Sequence, residues 1–109
     1  MLAYSKHEVV LVRHPFSDLS SSKVRPAVIV GAPHSSHDVF IVPLTSRTTA
    51  LVAGEFVLAD WAGAGLNVPS AIKRGVYTVH ATLIVRAVGR LSPEDGQRVE
   101  QSLRDWLGL

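Results

Sequence analysis

The sequence predicts a small, mainly β domain of about six short strands bent into a barrel, followed by one C-terminal α-helix. Short apolar or alternating runs, bounded by turn residues, recur through most of the chain, which is typical of strands. The hydrophobic period changes to that of a helix only near the C-terminus. The 109 residues are enough for one domain with one modest core. Short strands at such close spacing favour a strongly bent barrel.

Turn residues separate the predicted strands. Gly31-Ala32-Pro33 and Gly63-Ala64-Gly65 have the composition of turns, and Gly75 interrupts a further apolar stretch. Pro26 has no amide hydrogen, so we expect it at the start of a strand or on a sheet edge. The predicted strands are Glu8–Arg13, Arg25–Gly31, Asp38–Leu44, Gly54–Ala59, Ser70–Arg74 and Leu83–Arg90.

The C-terminal segment has the signals of a helix. In Leu91-Ser92-Pro93-Glu94-Asp95, the Ser side chain can cap the first turn, Pro suits the first helical position, and Asp follows three residues after the cap. Gly108 is a natural stop. We expect the apolar stripe of this helix to pack against the sheet or a partner, and it consists of Val99, Leu103, Trp106 and Leu107.

The composition excludes several classes of protein. A hydrophobic fraction of 47% with 18% charged residues is globular and not disordered. There is no cysteine, which excludes disulfides and cysteine metal sites. No apolar run suits a signal peptide or approaches the ~20 residues of a membrane span, so we expect a soluble, cytoplasmic protein without membrane association. The formal net charge of +2 permits a nucleic-acid partner but is too small to argue for one alone.

One pair of polar residues stands out at the ends of two predicted strands. A Ser-rich polar loop precedes Arg25-Pro26, where the second strand begins, and the third strand is followed by Thr45-Ser46. If these strands pair as a hairpin, Arg25 and Thr45 come out at the same end of one sheet. A guanidinium beside a hydroxyl at a sheet edge suits an anionic phosphate group.

The order of six short motifs resembles that of the MazF/PemK toxins, from about Glu8 to Leu109. We therefore expect one MazF/PemK-like domain over residues 1–109, and the resemblance implies an SH3-like barrel with a C-terminal helix, usually as a homodimer. The motifs are Val9-Val10-Leu11-Val12, Pro15-Phe16-Ser17-Asp18, Lys23-Val24-Arg25-Pro26-Ala27, Pro43-Leu44-Thr45-Ser46, Pro69-Ser70 and Gly89-Arg90-Leu91-Ser92.

The resemblance also implies an activity. Such a toxin belongs to a type II toxin–antitoxin system, binds a cognate antitoxin, and cleaves single-stranded RNA, typically mRNA, at a short sequence without metal or cofactor. The ribose 2′-OH attacks the adjacent phosphate and leaves a 2′,3′-cyclic phosphate and a 5′-OH. This reaction needs a proton acceptor, a proton donor and a cation that stabilises the phosphorane.

The resemblance assigns roles to Arg25 and Thr45, and residue type and position suggest further contacts with RNA. Arg25 matches the catalytic arginine and can hold two phosphate oxygens at once. Thr45 matches the catalytic threonine, and we assign it to positioning, since a hydroxyl is a poor acid or base. Trp61 is a candidate for stacking on a base. The candidates for contact with the RNA backbone are Lys23, Ser46, Arg47, Lys73 and Arg74. Lys73 and Arg74 could equally be charges that blunt an exposed strand edge.

The proton-transfer groups stay open. His14 is a candidate because an imidazole suits acid–base chemistry near neutral pH, but it could also be a packed or surface residue. Asp18 could be a base or could cap a turn. Some relatives carry an acidic base in the stretch that here reads Ala71–Arg74, which has no carboxylate. The alternative function is therefore a non-catalytic binding module on the same barrel, such as a gyrase-poisoning toxin. The Arg25/Thr45 pair favours the enzyme.

Overall fold

A computed structural model describes residues 4–13, 23–31 and 37–109. Within this part of the chain, six antiparallel strands form one sheet and one α-helix follows. The elements are β1 (Glu8–Arg13), β2 (Val24–Ile29), β3 (Asp38–Thr45), β4 (Ala71–Ile72), β5 (Tyr77–His80), a 3₁₀ turn (Ala81–Leu83), β6 (Ile84–Arg90) and α1 (Pro93–Leu107).

The connection between β5 and β6 shows that the sheet curls. β5 pairs with β3, while β6 pairs with β1 at the other end of the order β3-β2-β1-β6. In a flat sheet with a strand spacing of ~4.8 Å, β5 and β6 would lie roughly 19 Å apart. Only the three residues of the 3₁₀ turn join them, and at a rise of ~2.0 Å per residue these are too short to cross that distance. The sheet therefore closes into a small barrel, as predicted.

Most predicted strands are confirmed, with differences at their ends. β1 has the predicted bounds, and the second, third and sixth predicted strands shift by one or two residues. The predicted strand at Ser70–Arg74 is reduced to Ala71–Ile72, and β5 was not predicted. The predicted strand Gly54–Ala59 is wrong. That segment makes only a single bridge, between Val57 and Ala71. At its start Gly54 has a left-handed φ of 87°, and at its end the Asp95 carboxylate takes the amides of Ala59 and Asp60.

The core lies on both faces of the central strands. Val9, Val28 and Val42 are neighbours in register and pack in one cluster with the helix. The residues next to them in sequence, such as Val10 and Ile29, point to the opposite face and form a second buried cluster. Because β1, β2 and β3 are buried on both faces, their sequences are continuous apolar runs and do not alternate.

The helix begins and ends as predicted, but one member of its stripe is placed differently. The Ser92 side chain accepts a hydrogen bond from the Asp95 amide (3.1 Å), and Gly108 ends the helix in the left-handed conformation with φ 71°. Leu107 was expected in the packed stripe and is instead 56% exposed. Ser102 is buried in the packed face and donates to the Gly54 carbonyl at 2.6 Å. None of the described helices is long and apolar enough to cross a membrane.

From the sequence we expect dimerisation through the barrel edge near Val42–Thr45 and the C-terminal helix. In the structure β3 lies inside the sheet and offers no free backbone edge at this segment, and the dimer surface itself stays a prediction. Val42 pairs with Val28 of β2, and Leu44 and Thr45 pair with β4 on the other side. Backbone groups that already pair within the chain cannot add a strand from a second copy.

Candidate functional site

A cavity of about 540 Å³ opens at the end of the sheet where β2 begins and β3 ends. Its walls are the ends of these strands, β6, and the segment 65–70 that leads into β4. No carboxylate is among the cavity-lining residues that the structure describes, so their formal charge is positive. The polar lining comprises the cations Arg25, Lys73 and Arg86, the hydroxyls of Thr45, Ser46 and Ser70, and the Asn67 amide.

Arg25 and Thr45 reach this cavity through the pairing of β2 with β3. The last pair of that ladder is Ala27 with Pro43. Pro26, which has no amide hydrogen to donate, stands next to the end of the ladder. Beyond this point β2 pairs only with β1, and β3 pairs with β4. The two strand ends are thus not bonded to each other, and the cavity lies between them.

The Thr45 hydroxyl is held by the backbone that follows it. Its Oγ1 accepts a hydrogen bond from the Arg47 amide at 3.1 Å. A hydroxyl has one donor and two acceptor positions, so this bond leaves the O–H able to donate into the cavity. Thr45 is half-buried and forms the last residue of β3, opposite Ala71 of β4. The hydroxyl is therefore positioned by a strand on one side and by a turn on the other.

A close backbone contact fixes the wall formed by residues 65–70. A Cβ added at Gly65 would lie 2.1 Å from the carbonyl oxygen of Val88. A Cβ added at Gly89 would lie 2.2 Å from the carbonyl oxygen of Ala64. Gly65 also has φ of 89°, which favours glycine. The missing side chains therefore allow this segment to lie directly against the backbone of β6.

Arg86 is a cavity residue that the sequence reasoning missed. It lies on β6 opposite Leu11 of β1, and both line the cavity. The sequence around it, Val85-Arg86-Ala87, alternates like an ordinary strand with a solvent-facing charge. No local signal separates Arg86 from other strand arginines, because its place depends on the pairing of β6 with β1.

A comparison with protein families decides which family the chain represents. The profile of PemK-like, MazF-like toxins of type II toxin–antitoxin systems matches residues 5–107. The chain belongs to this family. No curated protein matches it.

Solved structures of MazF toxins have the same fold. The Mycobacterium tuberculosis toxin MazF-mt6 superposes with a TM-score of 0.75 at 19% identity, over 94% of this chain and 97% of that one. A mycobacterial endoribonuclease in complex with its cognate antitoxin gives 0.74 at 18% identity, over 98% and 97% of the two chains. A chain of the MazE–MazF crystal structure from Deinococcus radiodurans gives 0.74 at 14% identity, over 100% and 99%. At these identities the likeness shows the fold.

The other residues predicted for the site of this MazF/PemK toxin divide into two groups. Ser46 and Lys73 line the cavity beside Arg25 and Thr45. Lys23, Arg47 and Arg74 are exposed but are not among the lining residues. The Arg74 amide donates to the Glu55 carboxylate at 2.8 Å. Contact of these three with RNA stays a prediction.

The remaining candidates lie elsewhere. Trp61, expected as a base-stacking residue in an exposed loop, is partly buried and packs against the first core cluster. Its placement lends no support to stacking. His14 and Asp18 fall outside the described residues. Within the described part of the chain, no group of three His, Asp or Glu side chains could hold a metal ion.

Proposed function

We propose that this MazF/PemK toxin is an endoribonuclease that cleaves single-stranded RNA, and that Arg25 and Thr45 act together on the scissile phosphate. The observation that carries the proposal is the placement of both residues in one cavity whose described lining has three cations and no carboxylate. A polyanionic backbone is attracted to such a surface. The mycobacterial and M. tuberculosis structures are those of toxins or endoribonucleases of the same fold.

The proposed reaction is an internal transesterification. The ribose 2′-oxygen forms a bond to the adjacent phosphorus while the bond from phosphorus to the 5′-oxygen breaks. The 2′-proton passes to a base, and the 5′-oxygen takes up a proton. The products are a 2′,3′-cyclic phosphate and a 5′-OH.

Arg25 and Thr45 have different parts in this step. The Arg25 guanidinium donates to the non-bridging oxygens, whose negative charge grows in the phosphorane. The Thr45 hydroxyl donates to one of the same oxygens and orients the phosphate. Neither group accepts the 2′-proton. We propose that His14 or Asp18 does, since no carboxylate or imidazole is among the described residues that line the cavity.

The test is incubation of the purified protein with single-stranded RNA in EDTA, followed by analysis of the new RNA ends. We expect cyclic-phosphate ends with the wild type and none with Arg25→Ala. An Arg25→Lys variant should cleave slowly, because an ammonium cannot make the two parallel hydrogen bonds of a guanidinium. Circular dichroism should show that both variants keep the fold. Intact RNA at high wild-type concentration would overturn the proposal.

We also propose a cognate antitoxin and a homodimer as partners. Support for the antitoxin comes from the family and from the fold neighbours whose structures contain one. A mass of one chain by light scattering at micromolar concentration would contradict the dimer. Copurification of the protein with the product of an adjacent small gene would identify the antitoxin.

The alternative function is binding of RNA or of a protein without cleavage. It is favoured by the absence of a general base among the described cavity residues. In that case RNA is bound in EDTA but stays intact, and Arg25→Ala weakens the binding. The end analysis described above distinguishes the two functions.

A further inference from the structure

We infer that Arg86 is a second phosphate-binding residue of the cavity, which holds an RNA phosphate next to the scissile one. This inference rests on the proposed function for the identity of the ligand as single-stranded RNA. In this scheme Arg86 contacts the RNA only to bind it, through a phosphate that does not react. Arg25 contacts the phosphate that reacts. The cavity would then engage at least two consecutive phosphates of one strand.

The sheet geometry separates the two arginines by about the width of two strands. Leu11 of β1 pairs with Arg86 on one side and with Pro26, the neighbour of Arg25, on the other. At a strand spacing of ~4.8 Å, the backbones of Arg86 and Pro26 lie roughly 10 Å apart. Arg86 on β6 and Arg25 on β2 therefore line the same cavity from two strands that have β1 between them, and they do not converge from one strand. This arrangement suits two anionic groups better than one.

Two irregularities of β6 bracket Arg86. The register of β6 with β1 shifts between Leu11 and Val12, so Val85 has no paired residue on β1. It shifts again between Val9 and Val10, so Val88 has no paired residue on β1 either. Such bulges bend a strand and redirect its side chains, and they occur often next to functional sites. Here they flank the one arginine of β6 that lines the cavity.

Arg86 also differs from the arginines with a structural role. Arg90 donates to the Lys6 carbonyl at 2.8 Å, and Arg98 lies over the Phe56 ring, 4.0 Å from its centroid. Within residues 4–13, 23–31 and 37–109, the Arg86 side chain has no hydrogen-bond or ion-pair partner. The side chain is exposed, although the cavity wall beside it includes the apolar Leu11 and Val88. An unpaired guanidinium at such a place is available to an anion from solution.

The experiment measures how binding of RNA depends on salt. The probe is a fluorescent 12-nucleotide RNA of random sequence with 2′-O-methyl groups throughout, which removes the attacking hydroxyl and prevents cleavage. Each phosphate contact to a single strand contributes about 0.7 to the slope of log K against log salt. We expect Arg86→Ala to weaken binding and to lower this slope by about 0.7, and Arg86→Lys to keep the slope. Arg104→Ala, which removes an exposed charge of α1 away from the cavity, should keep it too.

Three outcomes would overturn the inference. The first is wild-type affinity together with a wild-type slope for Arg86→Ala. The second is weaker binding at an unchanged slope, which would mean that Arg86 contacts a base and not a phosphate. The third is an equal fall in slope for Arg86→Ala and for Arg104→Ala. That result would mean that loss of any positive charge weakens RNA binding in this way. Circular dichroism and the Lys variant exclude misfolding as the cause of a loss.

The kinetics of unmodified RNA separate this inference from the proposed function. If the wild type cleaves RNA, Arg86→Ala should raise KM about fivefold or more with kcat nearly unchanged, whereas Arg25→Ala lowers kcat. A fall in kcat without a change in KM would overturn the binding role of Arg86. If the wild type binds the probe but leaves RNA intact, the proposed cleavage fails, and the salt slope alone still decides for or against Arg86. If the wild type binds no RNA, both fail.

Discussion

Arg25 of β2 and Thr45 of β3 occupy the same register position at the open end of the sheet. Arg25 lies two residues before Ala27, and Thr45 lies two residues after Pro43, the residue paired with Ala27. The register of the ladder thus brings the two residues opposite each other where the two strands are no longer hydrogen-bonded. The pair is positioned by strands whose neighbouring residues form the core, so changes to either side chain should affect activity much more than folding.

Replacement of Thr45 by Val should slow RNA cleavage with little loss of stability. Val keeps the β-branched shape of Thr but removes the hydroxyl that we propose positions the phosphate. We expect kcat to fall about hundredfold, the lower end of the 10²–10³ that loss of one donor to a developing oxyanion costs. Thr45→Ser keeps the donor and should retain most activity. Cleavage by Thr45→Val at the wild-type rate would show that the hydroxyl has no part in the reaction.

Asp95 should be among the polar residues on which folding depends most. Its side chain is fully buried and accepts the amides of Ala59 and Asp60 at 2.9 and 3.0 Å. Asp95→Ala leaves both amides without this partner, and we expect the free energy of unfolding to fall by about 3 kcal/mol. Urea denaturation measures the change.

The control for Asp95 is a second aspartate of the same helix. Asp105 is exposed and accepts from the Gln101 side chain at 2.9 Å. Asp105→Ala should cost about 0.5 kcal/mol or less, as is usual for surface substitutions. An equal fall in the free energy of unfolding for Asp95→Ala and Asp105→Ala would contradict the role assigned to Asp95.

Glu100 joins the N-terminal segment to α1 and should make a pH-dependent contribution to stability. Burial opposes its ionisation, but hydrogen bonds from Lys6 (2.8 Å) and His7 (2.9 Å) outweigh burial, so the pKa of Glu100 lies below its ordinary value of 4.5. A carboxylate whose pKa is lowered by folding stabilises the protein above its unfolded pKa. This contribution is lost as the pH falls through the lower, folded pKa.

The comparison of wild type with Glu100→Gln measures this contribution. The wild type should be more stable by about 1 kcal/mol or less at pH values above 4.5, because the partners are partly exposed. The difference should shrink to nothing as the pH falls through the folded pKa of Glu100. A difference that stays constant down to about pH 3 would show that ionisation of Glu100 is not its cause.

Gly89→Ala should destabilise the fold through a steric clash with the cavity wall. The added Cβ would lie 2.2 Å from the Ala64 carbonyl oxygen, so the backbone on one side must move. We expect the free energy of unfolding to fall by about 3 kcal/mol, the upper end for overpacking.

The matched control is Gly108→Ala. No atom lies within 4 Å of its new Cβ, and only the left-handed φ of 71° is unfavourable. The free energy of unfolding of Gly108→Ala should fall by about 1 kcal/mol. Thermal denaturation of both variants tests this order.

The sequence by itself determined the features that depend on neighbouring residues. Ser92, Pro93 and Gly108 mark the ends of α1 because capping and left-handed φ are properties of a few adjacent residues. The continuous apolar runs identified β1, β2 and β3, since strands buried on both faces cannot alternate. The hairpin of β2 with β3 then placed Arg25 and Thr45 at one end of the sheet.

Only the tertiary structure decided the features that depend on residues far apart in the chain. Asp95 captures the amides of Ala59 and Asp60, so the last residue of the strand predicted there cannot donate to a neighbouring strand. Trp61 packs against the first core cluster, which draws its members from distant parts of the chain. Arg86 reaches the cavity only because β6 pairs with β1, more than seventy residues away in sequence, through two bulges. Such contacts leave no local pattern, since the free energy that selects them comes from packing between distant segments and not from the residues on either side.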